Sequence, residues 1–406
     1  MSLLDELNSI KKPAKVVVLQ PVHPKGWEPG VTYDPHAGGT ITTTAIAEPD
    51  PAIWATLIAD WGLDPELTEV VPGSVHIRAW DTNVGEGVIE RLKYYRATIR
   101  PRTTPNDRTD VEALCTSIVR RKPLKRHNTN EVSGRALVVL LSDWQIGKTD
   151  SNGGTNGTVD RICAGIDGVS VRIRELAKVG RPVDSVYLVG MGDLVEGCSG
   201  HYATQTFSVD LDDREQDRVV RRLILRAVET VAPLVDRVVV AAVPGNHGEN
   251  RNAAGKAYTR ITDSRDLACF ETTAEVLAAN PDRYGHVSVV TADAYTLTLD
   301  VGGVPIGFAH GHRGAGGGQT KIEAWWKGQA LGRQPIADAQ ILCLGHYHHL
   351  LCSEATGRTV FQAPAMDPGS QWFTDQTGQA SETGMLTFVA GTGCGARGWS
   401  DMAVLS

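Results

Sequence analysis

The segment CLGHYHHL, residues 343–350, completes the apolar run IADAQILCL and then places three of the chain's twelve histidines within four positions. A short apolar run of this kind indicates a buried strand. Because side chains alternate between the two faces of an extended segment, His346 and His348 are expected to point the same way. Two interpretations stay open for the segment alone: a histidine-rich polar loop, or a pair of metal ligands.

Length and composition indicate a globular protein with two domains. The 406 residues exceed the size at which a single core usually stops growing, and a composition of 41% hydrophobic and 21% charged residues is typical of folded proteins. The formal net charge of −7 gives no general attraction for nucleic acid. A nucleic-acid partner would therefore need a local basic patch.

The seven cysteines are scattered and form no CxxC pair. This argues against a disulfide framework and a thiolate zinc site, and it favours a reducing, cytoplasmic location. The N-terminal stretch MSLLDELNSIKKPAK predicts a short amphipathic helix rather than a signal peptide. The sequence has no run of about 18 apolar residues, so no membrane association is expected.

The chain changes character near residue 131. Residues 1–130 combine a predicted helix in DPAIWATLIADWGL, strand-like pieces such as RLKYYRATIR and a basic stretch, RRKPLKRH. They predict a smaller α+β accessory domain that ends in a basic linker. Residues 131–406 alternate apolar runs with helical periodicity, which predicts an α/β domain with buried strands. The later strand-like pieces of this domain suggest antiparallel pairing.

Five apolar runs of the second domain end in side chains that can bind metals. In open α/β sheets, functional sites lie beyond the carboxyl ends of the strands, so these endings are expected to meet at one rim. Glycine precedes three of the endings, which permits sharp turns or a close backbone approach. The candidate residues are Asp143 and Gln145 in SDWQ, Asp193 in GMGD, Asn246 and His247 in PGNH, His310 and His312 in FAHGH, and His346 and His348 in LGHYH.

The candidate ligands are carboxylates, amide oxygens and imidazoles, with no thiolate. Such a set suits Mn²⁺, Fe²⁺, Zn²⁺ or similar ions. The ligands are too many for one tetrahedral ion, but they suffice for two divalent ions that share a carboxylate and a water at a separation of roughly 3.5–4 Å. The residues therefore predict a dinuclear metal centre.

The order and spacing of these residues resemble the calcineurin-like metallophosphoesterase superfamily, whose pattern is D-x-H, G-D, G-N-H-[D/E], a single H, and G-H-x-H. The resemblance covers about residues 135–350. It implies an α/β fold, a two-sheet sandwich flanked by helices (α/β/β/α), and the hydrolysis of phosphoesters with two divalent ions. Manganese is the expected metal, with Mg²⁺, Fe²⁺ or Zn²⁺ as alternatives.

The resemblance also implies a role for each motif residue. His247 would not bind metal but would lie beside the scissile phosphate as a general acid or transition-state donor, a role typically worth about 10²–10⁴-fold in rate. The ligands implied are Asp143 and His348 for the first ion, Asn246, His310 and His346 for the second, and Asp193 between the two.

Two positions depart from the superfamily pattern. Gln145 stands where the first motif usually has histidine. A neutral carboxamide oxygen is a weaker, harder ligand than imidazole. The first site therefore binds its ion loosely, prefers Mn²⁺ or Mg²⁺, or leaves Gln145 outside the shell. Glu249 follows His247 one residue later than the usual acidic partner. It either orients the imidazole or is a solvated loop charge, and the second interpretation is favoured.

Four further side chains close to the motifs are candidates for binding the substrate phosphate: His201, Arg251, His312 and Arg313. Arginine can grip a phosphate through two parallel hydrogen bonds. The glycine-rich segment GHRGAGGGQTK lacks the spacing of a phosphate-binding P-loop, and it is interpreted as a flexible loop or lid.

The expected function is hydrolysis of phosphodiester bonds, with nucleic acid, DNA or RNA, as the expected substrate. The accessory domain, RRKPLKRH and the arginine-rich stretch DRVVRRLILR favour a nuclease. A weaker resemblance to bacteriophage-encoded metallophosphoesterases similar to DNA-repair nuclease subunits agrees, and it would place the chain in a host cytoplasm. The alternatives are a small-molecule or cyclic-nucleotide phosphodiesterase or phosphomonoesterase, and a non-catalytic binding protein with a degenerate site. Assembly into a homo-oligomer is compatible with each.

Overall fold

The computed structural model describes residues 23–34, 38–85, 88–102, 109–119, 133–149, 153–202, 205–252, 254–313, 319–367 and 382–406. The chain divides into two compact units, Met1–Thr104 and Pro105–Ser406. The sequence places the domain boundary at 130/131, whereas the contacts group the helix Val111–Val119 with the larger unit. The helix expected at the N-terminus, the basic stretch RRKPLKRH and residues 314–318 of the expected lid lie outside the described residues.

In the described residues, the N-terminal unit consists of an antiparallel sheet and one helix. Its strands are β1 (Gly30–Asp34), β2 (Gly38–Thr42), β3 (Thr68–Val70), β4 (His76–Gly85) and β5 (Val88–Pro101). Their order is β1-β2-β5-β3, with β4 also paired to β5. Helix α1 (Pro51–Asp60) begins where the Asp50 side chain accepts a hydrogen bond from the Ile53 amide at 2.9 Å, and it buries Trp54 and Ile58 in the core of the unit. The predicted α+β unit is confirmed.

The C-terminal unit contains two sheets, and the first has six strands. They are β6 (Ala136–Leu141), β7 (Ser185–Gly190), β8 (Arg237–Ala242), β9 (Val287–Thr291), β15 (Met385–Ala390) and β16 (Trp399–Leu405). The order is β16-β15-β6-β7-β8-β9. Strands β6 to β9 are mutually parallel, whereas β15 and β16 pair antiparallel.

Strand β6 shows why its sequence, ALVVLL, is apolar throughout. Leu137, Val139 and Leu141 pack toward the flanking helices. Val138 and Leu140 point the other way, into the layer between the two sheets. Because a parallel strand of this kind is covered on both faces, it reads as a continuous apolar run instead of an alternating one.

The second sheet has five strands. They are β10 (Thr296–Val301), β11 (Val304–Ala309), β12 (Ile341–Leu344), β13 (Leu351–Ala355) and β14 (Arg358–Gln362), in the order β10-β11-β12-β14-β13. The antiparallel pairing expected for these later strands is wrong for the centre of the sheet, because β11, β12 and β14 are mutually parallel. The connection from β11 to β12 contains a helix, as a parallel crossover requires, and not a tight turn.

Helices cover the outer faces of both sheets. They are α2 (Val111–Val119), α3 (Gly154–Lys178), α4 (Asp213–Val231), α5 (Arg265–Ala278), α6 (Pro281–Tyr284) and α7 (Gln319–Leu331). Helices α2 to α5 share a core with the six-stranded sheet, and α7 packs Trp326 against Leu342 and Leu344 of the five-stranded sheet. The predicted α/β/β/α sandwich is therefore confirmed. No helix in the described ranges is both long and apolar enough to cross a membrane.

We expect Phe361→Ala to lower the free energy of unfolding by about 3–5 kcal/mol, because it empties a closely packed position between the sheets. The Phe361 ring is fully buried, stacks on Phe388 with ring centroids 4.6 Å apart, and meets Trp399 edge-on at 4.9 Å. Urea unfolding measures the change. The control is Leu331→Ala, at a side chain that is 88% exposed; equal losses in the two variants would contradict this packing.

Candidate metal centre

The candidate ligands follow the carboxyl ends of five strands. Strands β6, β7 and β8 of one sheet, and β11 and β12 of the other, all end at the same rim of the sandwich, as the contacts between their following residues show. Each strand is buried, so the first polar side chains come where it leaves the core. The residues delivered are Asp143 after β6, Asp193 after β7, Asn246 after β8, His310 after β11 and His346 after β12.

Three of these side chains form a compact ligand group. Asp193, His310 and His346 each offer one ligand atom, and these atoms lie within 4.8 Å of one another. Asp193 and His310 are almost fully buried. His310 Nε2 lies 2.9 Å from Asp193 Oδ2 and 3.1 Å from Asn246 Oδ1. Asp193, Asn246, His310 and His346, which the sequence predicts as metal ligands, thus lie close together in the structure.

The geometry of His310 fits a divalent ion. Its Nδ1 donates to the Met191 carbonyl oxygen at 2.8 Å, which turns Nε2 toward two oxygen acceptors. Metal-binding histidines commonly have this outer hydrogen bond. Since the Nε2 lone pair would otherwise face the lone pairs of two oxygens, either a proton or a metal ion has to lie between Nε2 and these oxygens. The donor set of nitrogen and oxygen is the one expected for Mn²⁺ or a similar ion.

The pKa values of Asp193, His310 and His346 are shifted by burial and by the charges of their neighbours in the ligand group. Burial would lower the pKa of His310, but the charge and hydrogen bond of Asp193 outweigh it and raise the pKa to about 9. Burial opposes ionisation of Asp193 as well, yet the nearby imidazoles hold its pKa well below the ordinary value. Burial and the charge of His310 lower the pKa of His346 to about 4. His346 is therefore neutral at physiological pH, and His310 would release its proton on binding a metal ion.

His346 and His348 do not alternate on a strand as expected. Strand β12 ends at Leu344, and the two histidines have φ values of +70° and +59°. The His346 ring lies 5.0 Å from the His310 ring, whereas His348 Nε2 lies 3.3 Å from Asp143 Oδ1. The strand alternation assumed for the two histidines does not apply, because both follow the strand and have a left-handed backbone.

Left-handed backbone geometry is concentrated at the centre. Among the non-glycine residues of the described ranges, eight have positive φ, and five of these are Asp143, Gln145, Asp193, His346 and His348. Such conformations cost free energy and persist where the surroundings fix them. At Asp143 the surroundings do so, since its carboxylate accepts the His346 amide at 3.0 Å and a short hydrogen bond from the Ser142 hydroxyl.

Two glycines of the motifs are required by close contacts. A Cβ atom on Gly245 would lie 2.2 Å from both the amide nitrogen and Oδ1 of Asp193. A Cβ atom on Gly345 would lie 2.6 Å from Ser142 Oγ and 2.9 Å from Asp143 Oδ2. The close backbone approach expected from the sequence is present at both positions.

Asp266 ties two motif loops together, and sequence analysis missed it. Its buried carboxylate accepts the backbone amides of Asp193 at 3.2 Å, Leu194 at 2.9 Å and Gly245 at 3.0 Å. Burial and the charge of Asp193 raise its pKa. The residue lies in the first turn of α5, where an acidic side chain is common, so the sequence carries no signal that sets it apart.

His247 is oriented by Glu196, a second residue that sequence analysis missed. Nδ1 of His247 donates to the Glu196 carbonyl oxygen at 2.8 Å and lies 3.2 Å from its buried Oε2. Burial alone would lower the pKa of His247, but Asp193 and Glu196 raise it to about 10. The available signal was an acidic residue three positions after Asp193 in GDLVE. His201 stacks on His247 with ring centroids 4.1 Å apart.

Glu249 is not the solvated loop charge that sequence analysis favoured. Its side chain is 7% exposed and gathers three of the candidate substrate-binding residues. Arg251 contacts it at 2.8 Å, Arg313 at 3.1 Å and His312 at 3.7 Å. Burial would raise the pKa of Glu249, but the neighbouring His312, Arg313 and Arg251 side chains lower it to about 2. Glu249 therefore holds a positively charged cluster together, and Glu196 orients His247.

The region expected to hold the first ion has a different arrangement. His348 lies 3.3 Å from Asp143, and its Nδ1 is 3.8 Å from Asp367 Oδ2. Gln145 Oε1 accepts a hydrogen bond from Lys148 Nζ at 3.0 Å, while its amide nitrogen lies 3.4 Å from His247 Nε2. Lys148 also contacts Asp367 Oδ2 at 2.6 Å. Gln145 thus lies between a lysine and the candidate acid.

In the presence of EDTA, we expect stability to fall as the pH rises from about 6.5 to 10. His310 and His247 have pKa values of about 9 and about 10, above their ordinary value of 6.5. Folding therefore favours their protonated forms, and this contribution is complete below pH 6.5 and is lost as the pH rises through those values. Thermal unfolding of the chain and of Asp193→Asn measures it. The same pH dependence in both would contradict the assigned role of Asp193.

Comparisons with known proteins found distant likenesses among solved structures. No protein-family model matches the chain, and no curated protein matches it. The Entamoeba histolytica Vps29 in complex with zinc is similar over 62% of this chain and 84% of its own, at 14% identity and a TM-score of 0.28. An archaeal phosphodiesterase is similar over 66% of this chain and 99% of its own, at 13% identity and a TM-score of 0.29. A predicted phosphoesterase of Streptococcus pneumoniae is similar over 63% of this chain and 83% of its own, at 12% identity and a TM-score of 0.25. Likenesses this distant assign no function.

Proposed function

We propose that the chain is a metal-dependent phosphoesterase that hydrolyses phosphodiester bonds, with nucleic acid as its substrate. The observation that carries the proposal is the ligand group of Asp193, His310 and His346, whose ligand atoms lie within 4.8 Å, next to the oriented His247. The His247 amide donates to Asp193 Oδ1 at 2.8 Å, so the candidate acid and the ligand group are held by one backbone contact.

The ion that this group suits is Mn²⁺ or a chemically similar divalent cation. When bound, it would supply Lewis-acid polarisation of the phosphoryl group and activation of the attacking water. The chain's own part is to hold the ligands rigidly. The Met191 carbonyl oxygen fixes the ring of His310, and Asp266 fixes the loop that carries Asp193. A rigid site of this kind favours the transition state because little reorganises during reaction.

His247 is the proposed general acid. Its pKa of about 10 keeps the imidazole protonated at neutral pH. Because Nδ1 faces Glu196, Nε2 is the atom that can donate a proton to the leaving oxygen. Glu196 is itself held by the Tyr202 hydroxyl, which donates to its Oε1 at 2.7 Å. The main-chain carbonyl of Glu196 thus orients the acid, and the nearby carboxylate keeps it charged.

An arginine-lined cleft supports nucleic acid as the substrate. The cleft has a volume of about 360 Å³ and lies between α4 and α5. None of the described residues that line it is acidic, and the carboxylates of Asp213 and Asp217 on α4 are paired with Arg265. The lining residues are Arg214, Arg218, Arg221, Arg222, Leu225, Thr272, Thr273 and Val276.

The cleft supplies the local basic patch that an acidic chain needs for binding a polyanion. Of its arginines, Arg218 is paired with Glu112 at 2.6 Å, and its side chain remains 41% exposed. Arginine side chains arrayed along one helix match the repeating charge of a phosphodiester backbone, which contributes most of sequence-independent affinity. A closed pocket for a small phosphate ester would not need such an array.

We expect His247→Ala to keep its metal and to lose about 10²–10⁴-fold in turnover of bis-p-nitrophenyl phosphate, because it removes the proton donor but no ligand. Asp193→Asn should instead lose both metal and turnover. Metal content is measured by mass spectrometry after dialysis against Mn²⁺. His76→Ala, at an exposed strand position, is the matched control. Loss of metal in His247→Ala would overturn the assigned role.

We expect the double variant Arg221→Gln, Arg222→Gln to bind DNA more weakly and with a salt dependence reduced by about one unit of log–log slope for each lost phosphate contact. Fluorescence anisotropy between about 50 and 200 mM salt measures both quantities. Lys178→Gln with Lys327→Gln removes the same charge at exposed positions of α3 and α7 and should change little. A flat salt response of the unmodified chain would contradict nucleic acid as the substrate.

A substrate panel decides between this proposal and its alternatives. The panel contains single- and double-stranded DNA, RNA, cyclic nucleotides, bis-p-nitrophenyl phosphate and p-nitrophenyl phosphate, each with Mn²⁺. Degradation of DNA or RNA is the expected result. Turnover of cyclic nucleotides or the monoester alone would indicate a small-molecule enzyme, and turnover of none would indicate a binding protein.

A further inference from the structure

The turn after β6 places a lysine beside the part of the centre where a first ion is expected. The Lys148 amide donates to the Gln145 carbonyl oxygen at 3.1 Å, which closes the turn and brings the two side chains to the same side. Gly147, with φ of +105°, lies inside this turn. The Lys148 side chain is only 14% exposed, so its charge faces the protein and not the solvent.

The contacts of Lys148 are those that a cation would make. Its Nζ lies 3.0 Å from Gln145 Oε1 and 2.6 Å from Asp367 Oδ2. Asp367 is in turn 3.8 Å from His348 Nδ1, and His348 is 3.3 Å from Asp143. The amide oxygen that would have to ligate a first ion is therefore already bound to an ammonium group.

The described residues contain one compact ligand group of three His, Cys, Asp or Glu side chains, Asp193 with His310 and His346. Asp143 and His348 lie close together, but they do not complete a second group of this kind with Asp193. The residues thus fit one ion well, and they do not fit a second ion at Gln145.

We infer that the Lys148 ammonium is a built-in second cation, and that the chain binds a single divalent ion at Asp193, His310 and His346. Buried carboxylates require a compensating positive charge. The side chains of Lys148 and His348 provide this positive charge, Lys148 beside Asp367 and His348 beside Asp143. A divalent ion there would meet the fixed charge of Lys148 at contact distance, so the two compete for the same oxygens. This inference rests on the proposed function, because it specifies the cofactor of the same centre.

Metal stoichiometry in three chains tests the inference. We expect one Mn²⁺ per chain in the unmodified protein, as measured by titration calorimetry and mass spectrometry. Gln145→His should also bind one ion, because Lys148 still occupies the position. The double variant Gln145→His, Lys148→Met should bind two, and its electron paramagnetic resonance spectrum should show exchange coupling between neighbouring Mn²⁺ ions. Gln145→His with Lys178→Met is the matched control, and it should keep one uncoupled ion.

Several outcomes would overturn the inference while leaving the phosphoesterase proposal intact. They are two ions in the unmodified chain, two ions in Gln145→His alone, or a single ion in a folded double variant. Circular dichroism and thermal unfolding establish that each variant is folded. If the double variant does not fold, the counts for the unmodified chain and for Gln145→His still decide. No bound ion in any of the chains would contradict the proposed function itself.

Discussion

The structure depends on one constraint: the buried negative charge of Asp193 has to be offset by protons, hydrogen bonds or a metal ion at the point where two sheets end together. His310 and His346 approach it from the second sheet, and the His247 amide approaches it from the loop after β8. Removing such a charge from water is costly unless protons, hydrogen bonds or metal ions offset it. The parallel strands, the glycines that permit backbone contact and the left-handed residues all serve to bring these groups to one place. Because these groups come from segments that are far apart in the sequence, the centre forms only when the chain is folded.

Much of this arrangement is readable from the sequence, for physical reasons. The strands β6, β7 and β8 are buried on both faces, so they appear as apolar runs whose first polar residues mark the rim. Helix α1 has a proline start and an aspartate cap that a local pattern reveals. What sequence analysis missed depends on contacts between distant positions. Asp266 binds amides more than 70 residues away along the chain, and Glu196 meets His247 from 51 positions earlier. The parallel pairing of β11 with β12 was missed because the two strands are far apart in sequence.

Gln145 stands where the pattern that this sequence resembles has histidine, and Lys148, three positions later, contacts it. Taken alone, glutamine in place of histidine indicates a weakened metal site. In the structure its amide oxygen is bound to Lys148, so the change of ligand and the presence of a fixed cation form one local feature. The arginine cleft between α4 and α5 shows that the overall charge does not predict the local charge. The chain has a net charge of −7, yet it concentrates arginines on one face of a helix.

Anomalous diffraction from crystals grown with Mn²⁺, with data collected at the manganese edge, locates each bound ion. We expect one strong peak among Asp193, Asn246, His310 and His346, and none beside Gln145. The absence of a peak at Asp193, or a principal peak elsewhere in the chain, would contradict this expectation.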